Sequence, residues 1–257
     1  QAVGEKLTPK ELSALTRQFY RSFSQNLIEV FYIPAVTQDY IKKYMSVEGL
    51  ENVKSAFKKG KGVILLGVHA GSWEFSNIIC ANLGFPFVLF VRDQKFPRLN
   101  QLLNSYRQAK GCRIIGRENQ MRQLIEVLKN NQAIGMTADQ GGKSGVLVKF
   151  FGKSASMASG ALKLSAKYGS AIIPAFYARV KGPYIKLIIH PEFKLKNYSE
   201  NDEDNAKENL SRLAEIFEKD ILDYPSEYLW SYKIWKYTRE KNILILNDGV
   251  TGHLRQS

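Results

Sequence analysis

This sequence offers little for covalent cross-linking or metal binding. Two cysteines, Cys80 and Cys112, and three histidines, His69, His190 and His253, are spread over 257 residues. With no Cys-x-x-Cys and no His-x-x-x-His, neither a disulfide framework nor a zinc site is expected, and both cysteines read as small packing residues of a reducing compartment. No apolar run approaches the roughly 18 residues needed to span a bilayer, and no signal peptide is visible. The first residue is Gln1 instead of Met, so removal of an upstream anchor is one expectation. A Gly-x-Ser-x-Gly elbow is missing around Ser72, which argues against a serine nucleophile there. Gly142-Lys143-Ser144 imitates the end of a phosphate loop, but Thr137 stands where that motif needs Gly and the strand-like Val146-Leu147-Val148 follows where it needs a helix.

Negative charge is in the minority: 24 Asp plus Glu face 37 Lys plus Arg, a net +13. An anionic partner follows, and charge alone leaves open nucleic acid, anionic lipid headgroups and an acidic carrier protein. From Gly60 to His190, short β-branched apolar runs alternate with helical patterns: Val63–Leu66, Phe87–Val91, Ala133–Met136, Val146–Phe151, Ala171–Ala178 and Ile185–Ile189. That alternation favours an α/β fold, a sheet with helices packed on it. A single domain over residues 1–240 is expected, with residues 1–45 as an N-terminal helical, membrane-facing segment and 241–257 as a poorly ordered tail.

The densest chemistry lies just after the first of those runs, in Gly67-Val68-His69-Ala70-Gly71-Ser72-Trp73-Glu74. If a helix starts near Ser72, His69 sits on the strand-to-helix loop and Glu74 in the first helical turn, from which the carboxylate can fold back onto the imidazole. Such a pair is a general base lacking its own nucleophile, so it would activate a substrate hydroxyl. The alternative is an ordinary loop histidine beside a glutamate favoured by the helix dipole.

Elsewhere, Thr8-Pro9-Lys10-Glu11 is a capping box that should open an amphipathic helix of more than twenty residues, with Leu12, Leu15, Phe19, Phe23, Leu27 and Val30 at spacings of three and four. That helix either packs on the α/β body or, with Arg17, Arg21 and Phe31 to Pro34, presents a basic, aromatic surface to a membrane interface. Pro97 starts a helix expected to turn Leu99, Leu102, Leu103 and Tyr106 inward. Arg92 and Asp139 fall at strand ends, where open α/β sheets carry their functional side chains. Residues 201–223 form an amphipathic helix whose acidic side chains read as solvated surface. Pro225 to Tyr237 interleaves aromatics with lysines; core packing of Leu229 and Trp230 competes there with base stacking or headgroup contact.

With these residues placed, the chain resembles the lysophospholipid acyltransferase superfamily and, within it, the lipid A late (secondary) acyltransferases. His69 to Glu74 matches the Glu form of the superfamily's His-x4-Asp/Glu hallmark. The likeness runs from about Val47 to Tyr237 through Val47-Glu48-Gly49-Leu50, the Val63 strand, Arg92, the Asn100–Arg107 helix, Asp139-Gln140, Phe150-Phe151-Gly152, Pro174 and Pro225-x-x-Tyr228-x-Trp230. It differs where the family often has Tyr-Arg-Pro, here Val91-Arg92-Asp93, and Asn-Pro, here Asn100-Gln101.

The resemblance implies a glycerol-3-phosphate acyltransferase-like α/β fold, with a mixed, mostly parallel central sheet flanked by helices, and an O-acyltransferase without cofactor or metal. His69, oriented by Glu74, would deprotonate an acceptor hydroxyl that attacks the thioester of an acyl carrier protein or acyl-CoA. Backbone N–H groups near Gly71 or a basic side chain would hold the oxyanion. Arg92, Arg107, Asp139 and Gln140 are the remaining substrate-binding candidates, with the arginines on the acceptor headgroup or the donor phosphate and Asp139 orienting one of them. The acyl tail would be lined from among Phe75, Phe85, Phe87, Phe150 and Phe151. An anionic glycolipid acceptor, a membrane surface and no nucleic acid are the implied partners. The implied location is the cytoplasmic face of the bacterial inner membrane, reached peripherally or through a lost anchor.

Overall fold

Apolar side chains on both faces of a strand demand cover on both sides, and Val63, Ile64, Leu65 and Leu66 are all buried. A computed structural model describes residues 7–91, 94–115, 120–198, 202–232 and 234–237. Its centre is a seven-stranded sheet of β1 (Met45–Glu48), β2 (Val63–Gly67), β3 (Phe87–Phe90), β4 (Arg113–Ile115), β5 (Ala133–Thr137), β8 (Ala171–Lys181) and β9 (Tyr184–Ile189), in the order β1-β9-β8-β2-β5-β3-β4. Every neighbouring pair is parallel except β8 and β9, which are antiparallel. The α/β expectation therefore holds, and β1 and β4, too short for a periodic signal, are added at the edges. The Val146 run does not join the sheet. Among the described residues its strand β6 (Val146–Phe150) pairs only with β7 (Lys153–Met157), as a separate hairpin whose turn places Phe151 at φ +50°.

Two hydrophobic layers sandwich the sheet. On one face Val63, Leu65, Phe87, Leu89 and Ile173 pack under α2 (Gln38–Tyr44), α3 (Leu50–Phe57) and α4 (Trp73–Ala81). On the other, Ile64, Leu66, Val88, Ile134 and Phe176 meet α6 (Gln120–Lys129), α7 (Gly160–Tyr168) and α8 (Glu203–Asp223). The acidic residues of α8 are not all solvated surface: Asp220 is buried and pins His190, Oδ2 to Nε2, at 2.8 Å. In α5 (Pro97–Ala109), Leu99 and Leu102 are exposed, and the buried residue is Arg107. Arg107 turns inward onto Glu74 of α4, whose carboxylate takes two bonds from the guanidinium.

The N-terminal helix α1 (Pro9–Tyr32) begins with the expected capping box, the Thr8 hydroxyl accepting from the Glu11 N–H and the Glu11 carboxylate accepting from the Thr8 N–H. Its inward side is mostly polar, with Phe19, Ser22, Asn26 and Glu29 buried, while Leu12, Leu27, Ile28 and Phe31 are exposed. Of the stripe read from the sequence, Phe19 is buried and Leu15, Phe23 and Val30 are half-buried, whereas Leu12 and Leu27 face out. The polar side goes inward because Arg179 of β8 is waiting there: its Nη2 donates to Asn26 Oδ1 (2.6 Å) and to Glu29 Oε2 (2.5 Å). Both charged side chains of that pair are more than nine-tenths buried. Removing one member of a buried pair strands the other, so Arg179→Ala should lower the unfolding free energy by about 3–5 kcal/mol in urea titrations. A loss under about 1 kcal/mol would show that Glu29 does not need the guanidinium.

Candidate functional site

Parallel strands β2 and β5 are neighbours in register, Gly67 opposite Thr137. Two residues beyond each of those ends stand His69 and Asp139, so the register itself sets them side by side at the carboxyl edge of the sheet, where open α/β folds place their sites. Asp139 is fully buried and grips His69 twice: Oδ2 accepts the backbone N–H at 3.0 Å, and Oδ1 lies 2.7 Å from ring Nδ1. An ionised carboxylate can only accept, so Nδ1 carries the proton and Nε2 is left as the acceptor nitrogen of the neutral ring. Burial of the ring works against its charged form, but the charge and hydrogen bond of Asp139 outweigh it and raise the His69 pKa above 6.5.

The partner anticipated for His69 was Glu74, and that expectation is corrected. Glu74 lies in the first turn of α4 and takes a two-pronged bond from Arg107, Nε to Oε2 at 2.9 Å and Nη2 to Oε1 at 2.6 Å, while Arg107 Nη1 donates to Asn104. Bidentate guanidinium–carboxylate pairing is among the strongest hydrogen-bonded ion pairs, and with Asp139 already on the imidazole nothing competes for Glu74. Arg107 is correspondingly spent on Glu74 and Asn104, and Asp139 orients His69, not an arginine. Arg92 lies outside the described residues. Gln140 is exposed at the rim of the cavity that His69 lines.

Gly71 is also reassigned. Its φ of +56° and an ideal Cβ 2.8 Å from the Tyr177 carbonyl oxygen explain the glycine. Its N–H, however, donates to the Glu227 carbonyl at 2.9 Å and its carbonyl accepts from Asn26 Nδ2 at 2.9 Å, so this amide is not free to hold an oxyanion. Residues 227–229 act as a strap across the histidine loop: Tyr228 forms an antiparallel bridge with Ala70, and the Leu229 N–H donates to the His69 carbonyl. The closing aromatic segment thus holds the loop from behind, with Leu229 and Trp230 half-buried. Sequence reasoning missed the bracing by Asn26, Arg179 and the strap, since each meets groups far away in the chain.

Beside His69 opens a 600 Å³ cavity between the sheet and α4. Trp73, edge-on to the imidazole with ring centres 6.2 Å apart, Gln140 and Thr137 stand near its mouth, and Leu65, Leu89, Gly135 and Ala175 line it along the sheet. Of the five phenylalanines considered for an acyl lining, Phe87 is on this wall. Phe75 is core under α4, Phe85 packs on Phe57, and Phe150 and Phe151 pack beyond the opposite face with Trp235 and Trp230. Cys80 also touches the cavity, but burial pushes its thiol up to about 12 and that of Cys112 to about 11, so neither offers a thiolate nucleophile. Among the described residues no three His, Cys, Asp or Glu side chains converge on a metal position.

A profile of the family described as bacterial lipid A biosynthesis acyltransferase matches residues 3–237. The lipid A biosynthesis palmitoleoyltransferase of Escherichia coli K12 is 27% identical over 232 residues, 88% of this chain and 73% of that protein. The phosphatidylinositol mannoside acyltransferase of Mycolicibacterium smegmatis is 25% identical over 220 residues, 83% of this chain and 70% of that protein. A more distant likeness joins the E. coli lipid A biosynthesis lauroyltransferase, 22% identical over 211 residues, 79% of this chain and 65% of that protein.

The geometry separates the two carboxylates by titration. In Asp139→Asn the imidazole loses the charge that raises its pKa, so the His69 ring resonances followed by NMR should titrate at lower pH than in the parent. Glu74→Gln should leave that titration nearly in place. The reverse pattern would return Glu74 to the role first expected of it.

Proposed function

Because the chain belongs to the bacterial lipid A biosynthesis acyltransferase family and is therefore an acyltransferase, we propose that it moves a fatty acyl group from an acyl thioester to a hydroxyl of a lipid A precursor or related glycolipid, with His69 as general base oriented by Asp139. The observation that carries this reading is the His69–Asp139 pair at the mouth of a cavity with an apolar wall. Nε2 takes the proton of the acceptor hydroxyl as its oxygen bonds to the thioester carbonyl. The tetrahedral intermediate then collapses, the carbon–sulfur bond breaks, and the imidazolium returns the proton to the departing thiolate. A positioned base supplies roughly 10²–10⁴-fold, so the remaining acceleration falls to orientation of two large substrates. Glu74 and Arg107, locked together, act as the wall that holds α4 against α5 beside the cavity.

The donor is an acyl carrier protein or coenzyme A thioester, and the excess of basic residues steers it and an anionic acceptor headgroup to the site. Among the described residues no helix is long and apolar enough to cross a membrane. Contact with the bilayer is assigned to α1, whose exposed Leu12, Leu27, Ile28 and Phe31 share the helix with exposed Arg17 and Arg21. The cytoplasmic face of the bacterial inner membrane, where such precursors and thioesters meet, is the proposed location.

Labelled acyl thioester, presented with a lipid A precursor, a mannosylated phosphoinositide and lysophosphatidic acid in mixed vesicles, tests the reading. Transfer to the lipid A precursor is expected, rising with pH through a His69 pKa above 6.5 because only the neutral ring accepts a proton. His69→Ala should lose on the order of 10²–10⁴-fold in kcat in a protein that still folds, with a lowered melting temperature because the ring no longer satisfies the buried Asp139 carboxylate. Transfer confined to the phosphoinositide or to lysophosphatidic acid would move the acceptor, and hydrolysis that no lipid suppresses would make the protein a thioesterase.

A further inference from the structure

The cavity beside His69 exists because the sheet beneath α4 is stripped of side chains. Residues alternate faces along a strand, and on this face β2 contributes Leu65 and Gly67, β5 contributes Gly135 and Thr137, and β8 contributes Ala175. Register sets Leu65 opposite Gly135, Gly67 opposite Thr137, and Gly135 opposite Leu89 of β3. Two glycines and an alanine in adjoining rows therefore leave a trough, roofed by Asn77 and Cys80 of α4. A glycine inside a strand weakens it and commonly marks a place where something else comes close. At Gly135 that something is a ring. An ideal Cβ there would lie 2.9 Å from Phe87 Cζ, 3.3 Å from Phe87 Cε2 and 3.8 Å from Leu89 Cδ1.

Phe87 starts one row deeper, opposite Ala133, and its ring leans toward the mouth over the bare backbone of Gly135. The trough accordingly runs from His69, two residues past Gly67, to the row of Leu65 and Gly135, a span of four residues or about 13 Å along the strands. Beyond it Phe87 stands nearly fully buried across the path.

We infer that the Phe87 ring, seated over Gly135, is the end stop that sets the longest acyl chain this enzyme accepts. This rests on the acyl-transfer reading and adds a specificity determinant to it. A chain whose thioester carbonyl sits at His69 threads its tail beneath α4, and each methylene gains apolar contact until the tail meets the ring. A longer chain must displace Phe87, whose own position is free only because residue 135 has no side chain. Discrimination by one methylene in a closed apolar pocket is worth 10–200-fold, so the stop should give a sharp upper limit.

The test measures kcat/KM for a ladder of saturated acyl thioesters with one acceptor, each profile normalised to its own best donor. The parent protein should show a steep drop beyond one chain length. Phe87→Ala and the gentler Phe87→Leu should move that edge to longer donors, with at least a 10-fold gain in the ratio of the first excluded donor to the parent's best. Gly135→Ala, whose methyl would itself occupy the last row of the trough, 2.9 Å from the present position of the ring, should move it to shorter donors. A parent profile flat in chain length, or a Phe87→Leu or Gly135→Ala variant with an unmoved edge, would overturn the inference while leaving acyl transfer intact. Absence of transfer with every donor would instead fault the reading beneath it.

Discussion

The site depends on a single constraint: β2 and β5 lie in parallel register, and each carries its chemical residue two positions past the last paired one. A carboxylate as deeply buried as Asp139 is unfavourable unless its oxygens are satisfied. Here the backbone N–H and the ring of His69 satisfy both. That demand fixes the imidazole's tautomer, its orientation and its raised basicity together, so the proposed base is prepared before any substrate arrives. The loop that bears it is tied on other sides as well, by the strap at residues 227–229 and by Asn26. A base this firmly held loses little on binding, which is where preorganised sites derive their advantage.

The second carboxylate follows a different logic. Glu74 and Arg107 are both buried, and their desolvation is offset only because the guanidinium meets the carboxylate with two parallel bonds and spends a third nitrogen on Asn104. Such a pair contributes geometric definition more than stability. It fixes the start of α4 to the end of α5, and since α4 roofs the cavity, it fixes the space in which an acyl chain is proposed to lie. Two acidic residues near one histidine are thereby divided into one that tunes the ring and one that shapes the room around it.

That division marks the boundary of what the sequence disclosed. Five of the six apolar runs became strands of the sheet, and the capping box at Thr8 opened a helix, because strand alternation and helix capping are local signals. His69, Glu74, Arg107 and Asp139 were each picked out, by motif or by position at an element's end, and the structure brings all four to one region. The pairing among them was misread because spacing along one segment reports proximity in sequence, whereas His69 and Asp139 are 70 residues apart and meet only through sheet order. The role of Gly71 failed for a related reason: a backbone amide that looks free in a loop is used up by a strap from more than 150 positions away. Gly135, invisible as a functional residue in the sequence, gains meaning only from the ring packed over it.

Helix α1 shows how far such long-range demands can override a local pattern. Burying a large aliphatic side chain contributes about 1.5–3 kcal/mol, yet the helix leaves Leu27, Ile28 and Phe31 exposed and sends Asn26 and Glu29 inward. An arrangement that forgoes this much burial requires compensation on both sides. On the inside it comes from Arg179 and from the bond that Asn26 makes to the Gly71 carbonyl, two residues from the base. On the outside, under the proposed function, it comes from lipid, which accepts the apolar face that water penalises. The element that meets the acceptor's membrane is then the same one that braces the histidine loop. Substrate delivery and base positioning become two faces of a single helix, and any change that rotates α1 should disturb both at once.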